Sequence, residues 1–195
     1  MADALTVALT VIPAAVLRNL ADKLYEKRKN AALEVEGLVK QLTAAADHEK
    51  ITAVINLLIT DYTFSPQANQ RKGGLIGLAA ATVGLSNEAS QHLEQIVPPV
   101  IKSFGDQDSR VRYYACEALH NIAKVVRGEF IVFFNQIFDA LCKLSADSDA
   151  NVQSAAHLLD RLVKVQPDVV ELNDATDAAL GLLEEKKGMS IIVEG

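Results

Sequence analysis

Tryptophan is absent from the sequence, all aromatic residues together make up only 5% of it, and cysteine occurs twice. A chain with so few aromatic residues that is rich in alanine and leucine favours helices over a β-sandwich. Two cysteines provide no disulfide framework, so we interpret Cys116 and Cys142 as reduced thiols of a cytosolic protein.

A basic excess and a long apolar run are also missing. The net charge of −6 argues against affinity of the whole domain for nucleic acid or anionic lipid. The uncharged segment 73–85 is too short to span a membrane, which needs about 20 residues. Without a membrane-spanning or lipidation signal, we expect any recruitment to membranes to occur through partners.

The chain repeats itself with a period of 41 residues. A short acidic loop is followed by an apolar helix, and Asp108 and Asp149 are the best candidates for the helix N-caps. The recurring residues are Asp106, Asp108, Val111 and Ala115, which return as Asp147, Asp149, Val152 and Ala156.

The segments between these loops repeat as well. Their apolar residues follow the i, i+3, i+4, i+7 spacing of the buried face of an amphipathic helix. Pro98 and Pro99 lie inside the first of these helices and are expected to kink it. The two apolar stripes are Leu93, Ile96, Val97 and Val100, and Phe134, Ile137, Phe138 and Leu141.

One column of the repeat holds a small residue in every copy: Ala31, Gly74, Ala115 and Ala156. We interpret it as the place where two helix backbones pack closely, so Gly73, Gly74 and Gly77 are packing residues. Gly84 is interpreted as a helix C-cap. A phosphate-binding loop is rejected, because GGxxG matches neither nucleotide-binding glycine pattern and no strand precedes it.

These patterns predict an all-α fold, an α-α superhelix of about four stacked helix pairs over residues 1–164, and a divergent tail over 165–195. Asp22 is a plausible N-cap in the first pair, and one helix is expected at 174–187 in the tail. The predicted pairs are 14–20 with 22–45, 47–62 with 69–84, 88–104 with 109–127, and 130–145 with 149–164.

No constellation of residues points to catalysis, so we predict that the protein is not an enzyme and carries no cofactor. Cys116 and His120 share a helix face, and the 41-residue shift brings His157 beside them. No fourth zinc ligand is evident, and these residues are better interpreted as ordinary helix residues.

The charged residues are more informative. Arg28, Arg71 and Arg112 share one column and are expected to form a ladder with aspartates of the inter-helix loops. Other charged and aromatic residues remain as candidate partner contacts: Lys72, Arg110, Tyr113, Tyr114, Lys124 and Arg127.

Helix pairs of about 40 residues, with D-x-x-V-R-x-x-A opening the second helix at 108–115, resemble HEAT repeats. The strings RKGGLIGLAA (71–80) and RYYACEAL (112–119) are more specific. They resemble the N-terminal region of the vacuole-morphology scaffold family, the associated regulators of the PIKfyve lipid kinase. The resemblance covers roughly residues 13–164, and the tail departs from it.

The resemblance implies a non-enzymatic scaffold that binds the lipid kinase making phosphatidylinositol 3,5-bisphosphate. It implies a cytoplasmic protein, peripheral on endosomal or vacuolar membranes. The opposing lipid phosphatase would bind through regions that this chain lacks, because family members are several times longer. A fragment, a truncated product and a shortened isoform all remain open. The alternative function is a generic HEAT-repeat adaptor in protein transport.

Metal analysis tests the discarded zinc site. We expect purified protein to carry no stoichiometric zinc, because three scattered residues do not make a closed tetrahedral site. Bound zinc that is lost on Cys116→Ser would contradict this interpretation.

Overall fold

The computed structural model describes residues 4–164, which are almost wholly helical and include no strand. This confirms the predicted all-α superhelix of stacked pairs, here α2–α3, α4–α5, α6–α7 and α8–α9. The predicted tail helix at 174–187 lies outside the described residues. The helices are α1 (Ala4–Val11), α2 (Ala14–Leu20), α3 (Tyr25–Ala44), α4 (His48–Leu57), α5 (Ala68–Leu85), α6 (Leu93–Lys102), α7 (Ser109–Val126), α8 (Phe134–Leu144) and α9 (150–164).

The second helices of successive pairs pack side by side, α3 against α5 and α5 against α7. One apolar core runs through the pairs, from Ala8 and Ile12 at one end to Leu159 and Val163 at the other. Each pair is too thin to bury its own apolar faces, so stacking supplies the core.

The first helix, α1, was not predicted from the sequence. It packs against α4 and buries Ala8 completely, and Ile12, which directly follows α1, is buried as well. Its threonine-diluted apolar sequence shows no repeat partner, so only the packing identifies it as part of the array.

Aspartates begin several helices. Asp108 accepts hydrogen bonds from the backbone N–H groups of Arg110 and Val111, which confirms its N-cap role. The N-cap prediction for Asp22 is wrong, because α3 begins only at Tyr25. Asp22 instead accepts from the backbone N–H of Leu24 at 2.9 Å and pairs with Lys27.

The first helices of the third and fourth pairs are shorter than predicted. A 3₁₀ segment, Ser86–His92, precedes α6, and another, Arg127–Phe133, precedes α8. Pro98 and Pro99 lie inside α6. The predicted stripe of α6 is buried, but Phe138 of α8 is exposed and stacks on Phe134 instead.

Four glycines of α5 lie against neighbouring backbone or side chains. A Cβ atom on Gly73 would meet the Leu20 carbonyl oxygen at 2.0 Å, and one on Gly84 would meet the Glu36 carbonyl oxygen at 2.6 Å. The C-cap interpretation of Gly84 is therefore wrong, because α5 continues to Leu85 and packs there against α3.

Gly74 faces a widened turn that follows α4. Residues Leu58–Thr63 form a π-helix, and a Cβ atom on Gly74 would lie 2.5 Å from the backbone nitrogen of Thr63 and 2.9 Å from the Leu58 carbonyl oxygen. The wider π turn brings its backbone towards α5, and only a residue without a side chain leaves room for it. The other small residues of this column, Ala31, Ala115 and Ala156, are buried.

Arginines in the second helices join consecutive pairs. Arg71 forms two hydrogen bonds with the Asp106 carboxylate, at 2.7 and 3.0 Å, and Arg112 forms two with Asp147, at 2.7 and 2.8 Å. Each arginine also donates to two carbonyl oxygens of the loop before its own helix. The predicted ladder is confirmed for Arg71 and Arg112 and is wrong for Arg28, which forms no ion pair with an aspartate in the described residues.

The arginine–aspartate pairing does not continue into the first and last repeats. The position of Asp106 is occupied by Ser65 one repeat earlier, so Arg28 finds no carboxylate there and donates to the Tyr114 hydroxyl at 3.1 Å. The position of Arg112 is occupied by Gln153 one repeat later, which still donates to the Asp147 carbonyl oxygen. The hydrogen bond to a loop carbonyl oxygen is therefore kept in this repeat, whereas the ion pair is not.

The glycine contacts predict graded effects on stability. Gly74→Leu should lower the free energy of unfolding by about 3 kcal/mol, because the π-turn backbone cannot move aside. Gly77→Ala should be milder, because its Cβ would meet only the Cδ2 atom of Leu58, the end of a flexible side chain. Gly37→Ala is the matched control: nothing lies within 4 Å, so better helix propensity should stabilise by up to about 1 kcal/mol. Urea unfolding measures all three, and a harmless Gly74→Leu would contradict close packing.

The Arg112–Asp147 pair predicts a pH dependence. Hydrogen bonds from Arg112 lower the pKa of Asp147 below its ordinary value of 3.8. A lowered folded-state pKa contributes stability above the ordinary value, and this stability is lost as the pH falls through the folded pKa. Asp147→Asn should therefore destabilise by about 3 kcal/mol at neutral pH, and its difference from wild type should shrink below about pH 4.

Denaturant unfolding at a series of pH values measures this difference. The control Asp139→Asn changes an exposed carboxylate that has no ion pair among the described residues, so it should cost no more than about 0.5 kcal/mol. A difference between wild type and Asp147→Asn that stayed constant from neutral to acid pH would contradict the assigned role of the pair.

Candidate partner-binding groove

The second helices line an open groove of about 520 Å³ that crosses α3, α5 and α7. Its floor is lined by four alanines, Ala32, Ala79, Ala80 and Ala118, with the partly buried Ile76 of α5 beside them. Three larger apolar side chains at its edges are well exposed, Tyr25 by 48%, Leu33 by 56% and Val83 by 41%. Apolar residues exposed together around a groove are typical of a binding surface.

Aromatic rings cluster where α3 and α7 begin. The rings of Tyr25 and Tyr114 stack with centroids 6.3 Å apart, and Tyr113 meets Tyr114 edge-on at 5.4 Å. The buried guanidinium of Arg28 lies 5.4 Å from the Tyr114 ring centroid and also bonds its hydroxyl. Arg28 thereby fixes the ring that forms this end of the groove.

Positive charge accumulates at the same end. Lys29 and Arg110 line the groove, and neither forms an ion pair within residues 4–164. Lys72 lies near these residues. Burial lowers the pKa of its ammonium group, and the positive charges of Arg28 and Arg110 lower it further. The carboxylate of Asp108 acts in the opposite direction. Lys29 and Arg110 have no ion-pair partner in the described residues, so this end of the groove favours an anionic group.

The groove changes character further along the helices. Glu36 of α3 and Glu117 and Asn121 of α7 line this part. The groove therefore runs from a basic aromatic end, over an apolar floor, to an acidic and amide-bearing end.

Two of the predicted contact residues lie elsewhere. Lys124 and Arg127 line a separate, more polar cavity of about 830 Å³ at the C-terminal ends of α5 and α7. Arg127 has φ 49° and ψ −123°, and Ser86, one repeat earlier, has φ 50° and ψ −121°. A positive φ at a non-glycine residue is strained, and here it turns the chain in the same way in both repeats.

The predicted contact residues therefore divide between two surfaces. Arg110, Tyr113 and Tyr114 line the groove with Lys72 beside them, whereas Lys124 and Arg127 line the other cavity. Sequence reasoning missed the contribution of α3, which includes Tyr25 and Leu33. Little in the sequence marked these two residues as contacts, because both are apolar but lie outside the buried stripe of their helix.

The residues of the discarded zinc site lie in different environments. Cys116 is fully buried, which raises the pKa of its thiol to about 12. His157 is exposed and lies beside Cys142 and Phe138 in another cavity. Within residues 4–164 no group of three histidine, cysteine, aspartate or glutamate side chains is arranged to hold a metal ion.

In the part of the chain that the structure describes, no helix is both long enough and apolar enough to cross a membrane.

The chain is similar in sequence to a known protein family. Residues 69–165 match the family described as the Vacuolar 14 Fab1-binding region. The chain is 72% identical over 181 residues to the protein VAC14 homolog of Arabidopsis thaliana, covering 92% of this chain and 24% of that protein. It is 51% identical over 151 residues to the vacuole morphology and inheritance protein 14 of Saccharomyces cerevisiae, covering 76% of this chain and 17% of that protein.

A solved structure shares the fold. The crystal structure of an engineered protein, a target of the Northeast Structural Genomics Consortium, superposes with a TM-score of 0.51 at 22% identity, covering 84% of this chain and 63% of that one. The chain spans about a quarter or less of the length of the curated relatives named above. Its high identity to both of them shows that the chain belongs to the Vac14 family.

Proposed function

We propose that this chain is a non-catalytic scaffold that binds a lipid kinase of the Fab1/PIKfyve type. The observation that carries the proposal is the match of residues 69–165 to a Fab1-binding region. This range includes α5 and α7, which provide most of the groove, and all six predicted contact residues. Binding would help to regulate production of phosphatidylinositol 3,5-bisphosphate by the kinase.

The surface chemistry supports binding rather than catalysis. A helical-repeat array offers a broad surface on which many side chains share the binding energy. The proposed kinase contacts lie on both surfaces described above: Lys72, Arg110, Tyr113, Tyr114, Lys124 and Arg127.

We propose that the chain works in the cytoplasm and reaches endosomal or vacuolar membranes through its partners. The opposing lipid phosphatase would bind to other parts of the longer family members, of which this chain matches 24% and 17%.

Co-precipitation with purified partners tests the proposal. The chain should recover the kinase and should not recover the phosphatase on its own, because the matched region is the one named for Fab1 binding. Full-length VAC14 homolog of Arabidopsis thaliana, with the kinase and phosphatase of that organism, is the positive control. Circular dichroism should first show that the chain is helical and folded.

Either of two results would overturn the proposal. One is a well-folded chain that recovers no kinase while the full-length control does. The other is recovery of the phosphatase, without kinase present, as efficiently as the full-length control recovers it.

A further inference from the structure

The groove across α3, α5 and α7 has a chemistry that restricts its occupant. Four alanines and Ile76 make its floor apolar, and Tyr25, Leu33 and Val83 present exposed apolar surface along its edges. A ligand that covers this surface therefore needs a continuous apolar stripe of its own.

The floor favours a helical ligand over an extended one. Every helix that lines the groove already uses its backbone N–H and C=O groups internally, and no strand edge occurs in the described residues. An extended segment would lay unpaired peptide groups on the alanine floor, at a cost of about 1–3 kcal/mol for each buried group. A helix satisfies its own backbone, and small residues on the floor let it approach closely.

Charge sets which end of the ligand goes where. Lys29 and Arg110 lie at one end, unpaired within residues 4–164, whereas Glu36 and Glu117 lie further along. Carboxylates on the ligand are attracted to the end that holds Lys29 and Arg110. They are repelled at the end that holds Glu36 and Glu117. The ring of Tyr114, held by Arg28, is already in position there.

We propose that the groove binds an amphipathic helix of the kinase, with an apolar stripe over the alanine floor and aspartate or glutamate at the end that meets Lys29 and Arg110. This inference rests on the proposed function and names the partner chemistry of one site within it. An extended peptide and a helix of the opposite charge order are the competing occupants.

Two groove variants with matched controls test the inference on the intact chain and the purified kinase. Lys29→Glu with Arg110→Glu reverses the basic end, and Leu33→Asp places a charge in the apolar stripe. Lys40→Glu with Lys143→Glu makes the same charge change at exposed lysines outside the groove. Val132→Asp, at a side chain exposed by 67%, is the control for the apolar change.

Each groove variant should weaken kinase binding at least tenfold, and each control should change it less than twofold. The loss from charge reversal should be larger at low salt than at high salt, because screening weakens the attraction. All four variants change exposed residues and should keep the wild-type helical spectrum and melting temperature.

Overlapping 20-residue peptides of the kinase then identify the occupant. The peptide that competes should gain helical circular dichroism on binding and carry acidic residues at one end. A competing peptide that stays extended, or one with basic residues only, would overturn the assigned occupant.

The outcomes separate the two proposals. If the wild-type chain binds the kinase and both groove variants bind equally well, the groove inference is wrong and the proposed function stands. If the folded wild-type chain binds no kinase, the proposed function is wrong and the groove inference falls with it.

Discussion

Backbone contact at α5 is the constraint on which the rest of this structure depends. Gly73, Gly74 and Gly84 place α5 directly against the carbonyl oxygens of Leu20, Leu58 and Glu36, at distances that no side chain tolerates. Three contacts at separate points along one helix fix its position against α2, the π turn and α3. Because α5 lies between α3 and α7, its position sets the depth of the groove between them.

The arginine ladder adds a second, directional constraint. Arg71 and Arg112 each hold the loop before their own helix and an aspartate of the next pair. One side chain thus couples the internal geometry of a pair to the stacking of the following pair. Burial of these ions is costly, and the paired, two-point geometry offsets that cost. The arrangement joins the second pair to the third and the third pair to the fourth.

The basic and aromatic residues of the groove occupy positions at which the repeat pattern is broken. Ser65 replaces the ladder aspartate that would have met Arg28, so Arg28 holds Tyr114 instead and its charge stays without a carboxylate in the described chain. Lys29 and Lys72 occupy the repeat column in which the third copy has Tyr113, so the chemistry of this column changes along the array. Regular positions therefore build the solenoid, and irregular positions of the same helices give it a basic aromatic surface.

The sequence by itself determined the repeat period, the helix pairs, the small-residue column and the arginine–aspartate ladder. These features recur at a fixed spacing, so each copy supports the interpretation of the others. Only the tertiary structure decided the position of α1, the π turn beside Gly74 and the packing role of Gly84, because these depend on which backbone approaches from another pair. It also divided the predicted contact residues between two surfaces and added Tyr25 and Leu33 to the groove. Side chains from α3, α5 and α7 meet there only after stacking, and their distance along the chain gives no measure of their distance in space.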